Sequence, residues 1–588
     1  MSLIRVRLMA LRPVRRYSLQ TLATVALSLS MGATSTLADA PLTKRVDATP
    51  LKPPMAVNWK YSSIPFSFNP AAPVVADGTL YYASGLRLHA IDPTTGREKW
   101  RYPQDNFLAT PVLATPTVSN GAIYFSAGDG LYALDAVTGK QKWPSYSVRS
   151  GVVTTPVIIG SNLYFGGGDR KLYAIDVEKG EPAGGIWSQG RRIGIDAGGD
   201  FAGDIATNGD LLYYVTNDGA LRALNLTTGL AKWAKKVNTT SPNMTPILSG
   251  EYVYVAAGDT VYGFRAATGL PQGNVRLFAD STAPPVIDAD GNIFVVNSDR
   301  FIVAVTNRGR PLWKNYPRVE HEVLVAPIIV GDSLIVGTAV GGIFAFDHAT
   351  GKLLWNYNIQ PSSLRADSIP TVANISAQPV LYNGSLFVLT DDGAMTSFRA
   401  DAADGLPPVV TPITPEQGDY LKGTPPFYIA AKLVDEGSGI DFSTLSLKVD
   451  DKPIPRRPLN DATGERPGYV IETDTGYLEY AILEGDSGRT VTLANGHHNI
   501  TLTVKDWMGN TTTKTWSFAV DDSLTKRSRR PGSTPTNGTQ TNPGGRPGGT
   551  NGGGGRPGGG GKSGGGGGRP GGAGGRPGGG GGGAGSGD

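Results

Sequence analysis

The chain has 588 residues with 81 Gly, 43 Pro and no Cys, which excludes disulfide frameworks, Cys-ligated zinc, iron–sulfur clusters, thiol nucleophiles and cysteine-linked lipid anchors. Its length predicts more than one domain. The net charge of +4 hides opposed parts: the two ends are basic, whereas residues 41–525 hold 40 basic and 48 acidic groups, so whole-chain basicity does not argue for nucleic-acid binding.

Residues 1–40 read as an export signal: a basic stretch ending at Arg15-Arg16, an apolar run from Leu22 to about Ala33, and an A-x-A site at Ala38-Asp39-Ala40. The paired arginines leave general secretory and twin-arginine export both open. No later run reaches about 18 apolar residues, so no transmembrane segment is expected. Residues 41–56 form a short leader to the folded body.

From residue 57 to 406 the sequence repeats with a period near 42 residues. Each unit runs Pro-Val or Pro-Ile, an Asn-Gly type turn, a strand such as LYY, a Gly-Asp turn, a strand such as LYALD, a Thr-Gly turn, and a strand with Trp. The first-strand markers are Pro73, Pro116, Pro156, Asp204-Ile205, Pro246, Pro285, Pro327 and Pro379. Alternating apolar residues and closely spaced turns predict four-stranded blades rather than helical repeats. The eight units predict an eight-bladed β-propeller.

Trp100, Trp143, Trp187, Trp233, Trp313 and Trp355 end six of the units, the fifth has no Trp, and the eighth lacks an outer strand of its own. Trp59, in VNWKY, precedes the first unit. Residues 57–62 are therefore expected to complete blade eight and close the ring, which protects its sheet edges. Recurrence of Trp at one blade position reads as inter-blade packing rather than as platforms for sugars or quinones.

Units of the form G-x-LYALDxxTGxxxW resemble the pyrroloquinoline-quinone (PQQ) type repeat over residues 57–405. That resemblance implies the propeller of quinoprotein alcohol dehydrogenases and of the lipoprotein of the outer-membrane barrel-assembly complex, and is specific for fold rather than function. Many of those dehydrogenases carry adjacent cysteines beside the quinone, and the lipoprotein is anchored through a cysteine; this chain has neither. Asp288-Ala-Asp290-Gly291 resembles a calcium-loop fragment but lacks the downstream Glu and sits at a hairpin turn.

Candidate ligand-binding residues fall on two long inter-blade loops and one histidine. Residues 188–204 offer Arg191, Arg192, Asp196, Asp200 and Asp204, and residues 357–378 offer Arg365 and Asp367. His321, between Glu320 and Glu322, is the best acid/base candidate, because flanking carboxylates would raise its pKa. No catalytic, cofactor-binding or metal residue is assigned, and no G-x-S-x-G, H-E-x-x-H or P-loop motif is present.

Residues 407–522 change pattern to about seven short alternating strands, which predicts a β-sandwich. DEGSGID (435–441) and GHHNITLTVKDWMGN (496–510) resemble bacterial immunoglobulin-like or cadherin-like modules. The acidic loops at Asp435-Glu436, Asp441 and Asp506 offer carboxylates for weak Ca²⁺ binding, but no Ca²⁺ site is expected there. Residues 523–588 are a Gly/Arg/Pro-rich tail, expected to be disordered for want of apolar residues.

The sequence thus reads as an exported, non-catalytic propeller that binds a protein or glycan partner of the cell envelope. Its tail would contact anionic envelope polymers, and no specific nucleic acid is expected. No cofactor is expected; the alternative is an alcohol or sugar dehydrogenase using PQQ with Ca²⁺.

Overall fold

The structure is a computed structural model that describes residues 51–62, 71–189, 192–361, 373–457, 468–482 and 493–526. The export signal, most of the leader and nearly all of the tail lie outside the described residues. Compactness divides the chain at Ser533/Thr534. The described part is all-β apart from one 3-10 turn at Gly185–Trp187, and no helix in it is long and apolar enough to cross a membrane.

From Val74 to Arg399 eight small antiparallel sheets succeed one another, seven of four strands and one of three. Their first hairpins turn where the sequence supplies φ > 0: Asp77 and Gly78 at 47° and 67°, Asn120 and Gly121 at 48° and 69°, Asn383 and Gly384 at 49° and 73°. Two-residue turns of this kind match the right-handed twist of the strands they join.

The last sheet is completed by the chain's beginning. Ala56–Ser62 pairs antiparallel with Ala394–Arg399, giving the strand order Ala56–Ser62, Ala394–Arg399, Ser385–Leu389, Val380–Tyr382. A buried cluster of Leu80, Tyr82 and Ile91 with Val380, Phe387 and Met395 then joins the last sheet to the first. Comparable apolar clusters lie between the other neighbouring sheets, so the core is a circle of inter-sheet cores rather than one central mass.

Tryptophan joins the sheets. The Nε1 atoms of Trp59, Trp100, Trp143, Trp233 and Trp313 donate to the carbonyls of Pro93, Ala136, Val177, Ala266 and His348, each in the Thr-Gly turn of the next sheet (Lys179-Gly180 in the third), at 2.9–3.1 Å. The glycine of that turn lies against the indole, and a Cβ at Gly96, Gly139, Gly269 or Gly351 would come within 2.7 Å of the ring. These tryptophans are structural, as their fixed position in the repeat predicts.

The third unit corrects the sequence reading. Trp187 does not sit on an outer strand but ends the 3-10 turn, packing edge-on against Tyr164 at 5.2 Å. The fourth strand of that sheet is Ile195–Asp196, inside the segment whose sequence reads as a long loop. Gly184 and Gly185 delay the strand by opening the chain just before the Trp, Gly185 at φ 70°.

After Pro408 two sheets pack face to face. One orders Val409–Thr414, Phe427–Val434, Tyr477–Ile482, Val470–Glu472; the other orders Tyr420–Leu421, Thr511–Val520, Gly496–Asp506, Ile440–Val449, Lys452–Ile454. Phe427, Ile429, Leu433, Leu447, Ile500, Trp516 and Phe518 fill the space between them. Trp507 instead faces the propeller, packing on the cluster around Trp355, Tyr357 and Phe398 while its Nε1 donates to the Asn356 carbonyl at 3.1 Å.

Candidate functional site

Antiparallel strands alternate direction, so the connection leading into each first strand and the turn between second and third strands emerge on one face. The Thr-Gly turns emerge on the other. On the Thr-Gly face the side chains close their own turns: Asp92 Oδ1 accepts from the backbone N–H groups of Thr94 and Thr95, and Asp135, Asn225 and Asp347 repeat the arrangement.

The opposite face carries the candidate site. Segments entering all eight first strands converge on two adjoining cavities of about 670 and about 200 Å³, which share Leu113, Thr115, Asp204 and Asn243 in their walls. Thr115, Thr155 and Thr245, each immediately before a first-strand proline, are buried polar residues of these walls. At the rim, Leu113, Val153 and Leu324 are 66%, 50% and 42% exposed.

Asp204 is the carboxylate of both cavities. Its Oδ1 accepts from the Thr155 N–H at 2.6 Å, its Oδ2 from the Thr155 hydroxyl at 3.0 Å, and its own N–H donates to Thr245 Oγ1 at 2.8 Å. It thereby ties the entries of three consecutive sheets. Burial pushes its carboxyl above the ordinary carboxylate range, and the Thr155 bonds act against that rise.

The other sequence candidates do not gather here. Arg192 is exposed in a two-stranded ribbon with Ser188–Gln189, Asp196 receives the Gly198 N–H at 2.8 Å, and Asp200 pairs with Arg170 at 2.9 Å on the surface. Arg191, Arg365 and Asp367 lie outside the described residues. His321 rests first on a residue distant in sequence: its Nδ1 meets Asp474 Oδ2 of the second domain at 2.6 Å, and this bond, against burial, raises its pKa, with Glu472 and the flanking Glu320 adding to the rise. Glu322 is exposed, and Glu320 accepts from Thr473 instead.

Sequence reasoning missed the threonines and the rim. The signal was present in the repeated Thr-Pro pairs at Thr115-Pro116, Thr155-Pro156 and Thr245-Pro246, at the repeat position that Asp204 occupies in the fourth unit.

A quinone over a calcium ion does not fit these residues. Among the described residues no Trp or Glu lines either cavity, Asp204 is the one lining carboxylate, and both its oxygens are engaged by Thr155. Asp288 Oδ1 accepts from the N–H groups of Asp290 and Asn292, closing its hairpin as the sequence position suggests. Elsewhere, carboxylate oxygens of Asp404, Asp435 and Asp506 lie within 4.8 Å of one another. Burial, with Asp404 and Asp506 beside it, pushes Asp435 up to about 6. Each of the three also accepts a backbone N–H: Asp404 from the distant Ser438, and Asp435 and Asp506 from Gly439 and Asn510, which closes their turns, and no metal is assigned to them.

A ring of repeat sheets docked by tryptophan, with an axial cavity framed by loops, defines a propeller of the PQQ-repeat class. Within that class, the family model described as outer membrane protein assembly factor BamB matches residues 51–272, 192–317 and 245–418, and the chain belongs to that family. The chain is 25% identical over 229 residues to outer membrane protein assembly factor BamB of Yersinia pestis, a match covering 36% of this chain and 57% of that protein. The match to the same factor of Pseudomonas aeruginosa spans 50% of its length, so the chain spans about half of these curated relatives. Among solved structures, BamB from Moraxella catarrhalis superposes with a TM-score of 0.45 at 18% identity, covering 59% of this chain and 99% of that one. A quinohemoprotein alcohol dehydrogenase from Comamonas testosteroni gives 0.46 at 15% identity, covering 65% and 80%.

Proposed function

We propose that the protein is an exported, non-catalytic scaffold of the bacterial envelope that holds a protein partner on the face bearing the axial cavity. The observation that carries this reading is the apolar rim: Leu113, Val153 and Leu324 stand exposed around walls of Thr, Asn and one Asp. Exposed apolar residues gathered at one mouth suit a protein surface better than a glycan, which would call for flat aromatic and paired polar groups. Kinship with proteins named as outer membrane protein assembly factors supports a partner among membrane proteins. Export rests on the signal read in residues 1–40, and the basic tail supplies a weak contact for anionic envelope polymers.

The test places a photo-crosslinking residue at Leu113, at Leu324, and at Val137 in the Thr-Gly turn of the opposite face. Crosslinks to an outer-membrane protein from the first two positions and none from Val137 are expected. Recovery of the protein solely as a free secreted pool, with no crosslink from either rim position, would sink the reading.

A further inference from the structure

The seam between propeller and second domain contains a group of titratable side chains that the proposed binding face does not use. Glu320 and His321 lie in the connection entering the strand Ile328–Val330, and Thr473 and Asp474 in the turn between Val470–Glu472 and Tyr477–Ile482. Thr473 donates its N–H to Glu320 Oε2 at 2.5 Å and its hydroxyl to Glu320 Oε1 at 3.2 Å. Asp474 is fully buried, takes His321 on Oδ2 at 2.6 Å, and has no partner on Oδ1. The Glu320 carboxyl is within hydrogen-bonding reach of Asp474, and two ionised carboxylates cannot satisfy each other. A proton on Glu320 turns that repulsion into a bond.

Nearby cations do not compensate the pair. The Arg300 guanidinium donates to the Glu320 main-chain carbonyl, and the Lys432 ammonium donates to the Thr475 carbonyl and faces Glu472. Glu472 adds negative charge toward His321, and Glu322 is exposed.

We propose that Glu320, His321 and Asp474 form a proton-operated latch between propeller and second domain, closed by a proton between Glu320 and Asp474 and loosened as that proton leaves. The direction follows from linkage. Glu320 is pushed from its ordinary 4.5 up to about 8, by burial first and Asp474 second. Between those values the docked form keeps a proton that an undocked Glu320 loses, so docking is fully supported below the lower value and weakens as pH rises through the upper one. His321 is raised as well, by its bond to Asp474, and its contribution fades in the same direction.

Hydrogen exchange of the full-length protein tests the latch at about pH 6 and about pH 9, with rates corrected for intrinsic chemistry. The amides of residues 473–475 should exchange roughly tenfold faster or more at the higher pH, while amides within Gly496–Asp506 keep their protection. Glu320→Gln, which presents a neutral donor at every pH, should cut the difference to the part that His321 contributes. Glu320→Leu, which deletes the titrating group, should cut it to the same remainder. Equal protection of residues 473–475 at both pH values in the unmodified protein would overturn the latch. So would an unchanged pH response in either variant that retains the β-sheet circular dichroism.

Discussion

Trp355 Nε1 donates to the Ser438 carbonyl at 2.7 Å. Five other tryptophans of the ring donate to the Thr-Gly turn of the following sheet, and Trp355 is the one whose acceptor lies in the second domain. The glycine of the last sheet's turn does not lie against an indole: a Cβ at Gly405 would meet nothing within 4 Å. The second domain therefore stands in for a missing docking turn. It also reaches the closing strand, where Val57 donates to the Gly437 carbonyl at 2.9 Å.

Trp355 is fully buried, so Trp355→Ala should cost about 3–5 kcal/mol and uncouple the two domains. Calorimetry is expected to show one transition splitting into two. Trp355→Phe keeps most of the packing and leaves the Ser438 carbonyl unpaired, at a cost of about 1–3 kcal/mol. A single transition shifted equally by both variants would contradict the docking role.

Gly96 and Gly121 share φ 69° but differ in surroundings, since Gly96 faces Trp59 of the closing strand and Gly121 faces open space. Valine at either position incurs a similar left-handed backbone strain of about 1–2 kcal/mol. Gly96→Val should cost roughly 1–3 kcal/mol more, from overpacking against the indole. Denaturant midpoints for the two variants measure the difference, and equal midpoints would remove Trp59 from the closure.

Glu98 links the closing strand to the first sheet: Tyr61 donates to its Oε2 at 2.6 Å, and His89 Nδ1 lies 3.0 Å from the same atom. The His89 bond, ahead of the Tyr61 bond, holds Glu98 down to about 2. Because its pKa is depressed, the stabilisation is present above the ordinary 4.5 and is lost as pH falls through about 2. Glu98→Gln should lower stability at neutral pH by about 1–2 kcal/mol and flatten the acid limb of a Tm-versus-pH curve.

Asp204 has the opposite sign. Burial raises its carboxyl, so its support is greatest at low pH and declines as it ionises. Asp204→Asn keeps an acceptor for the Thr155 N–H and should be at least as stable as the unmodified protein at neutral pH. Asp204→Ala leaves that donor unpaired and should lose about 1–3 kcal/mol. Urea titrations near pH 5 and near pH 8 separate the two effects.

The cavity residues also predict the outcome of a cofactor titration. Fluorescence quenching by PQQ, with Ca²⁺ present, should show no saturation below about millimolar, a weakness worth less than about 4 kcal/mol of binding. Tight saturable quenching would restore the dehydrogenase alternative.

The repeat sheets were legible because every unit restates the same local chemistry, from the Pro at the first strand to the Gly under the Trp. The closure followed from one spare outer strand, Trp59, and one blade without its own. What escaped was whatever depends on distant main chain or on a single irregular unit. The outer strand of the third sheet lies beyond Trp187 because two glycines displace it. His321 finds Asp474 at a separation of 153 residues, and the acceptor for Trp355 is a carbonyl, which every residue possesses and no side chain announces. Asp204 was found for its charge, while the threonines beside it were passed over because a Thr before a Pro carries no chemical signature.

The two faces of the propeller differ in how much change they can absorb. On the Thr-Gly face, a glycine against an indole fixes the spacing of neighbouring sheets, so an inserted residue would propagate round the circle. The connections on the cavity face, which lead from one sheet into the first strand of the next, are free of that constraint. Recognition can be rewritten there without disturbing the frame, which makes this the side on which a new specificity would be engineered.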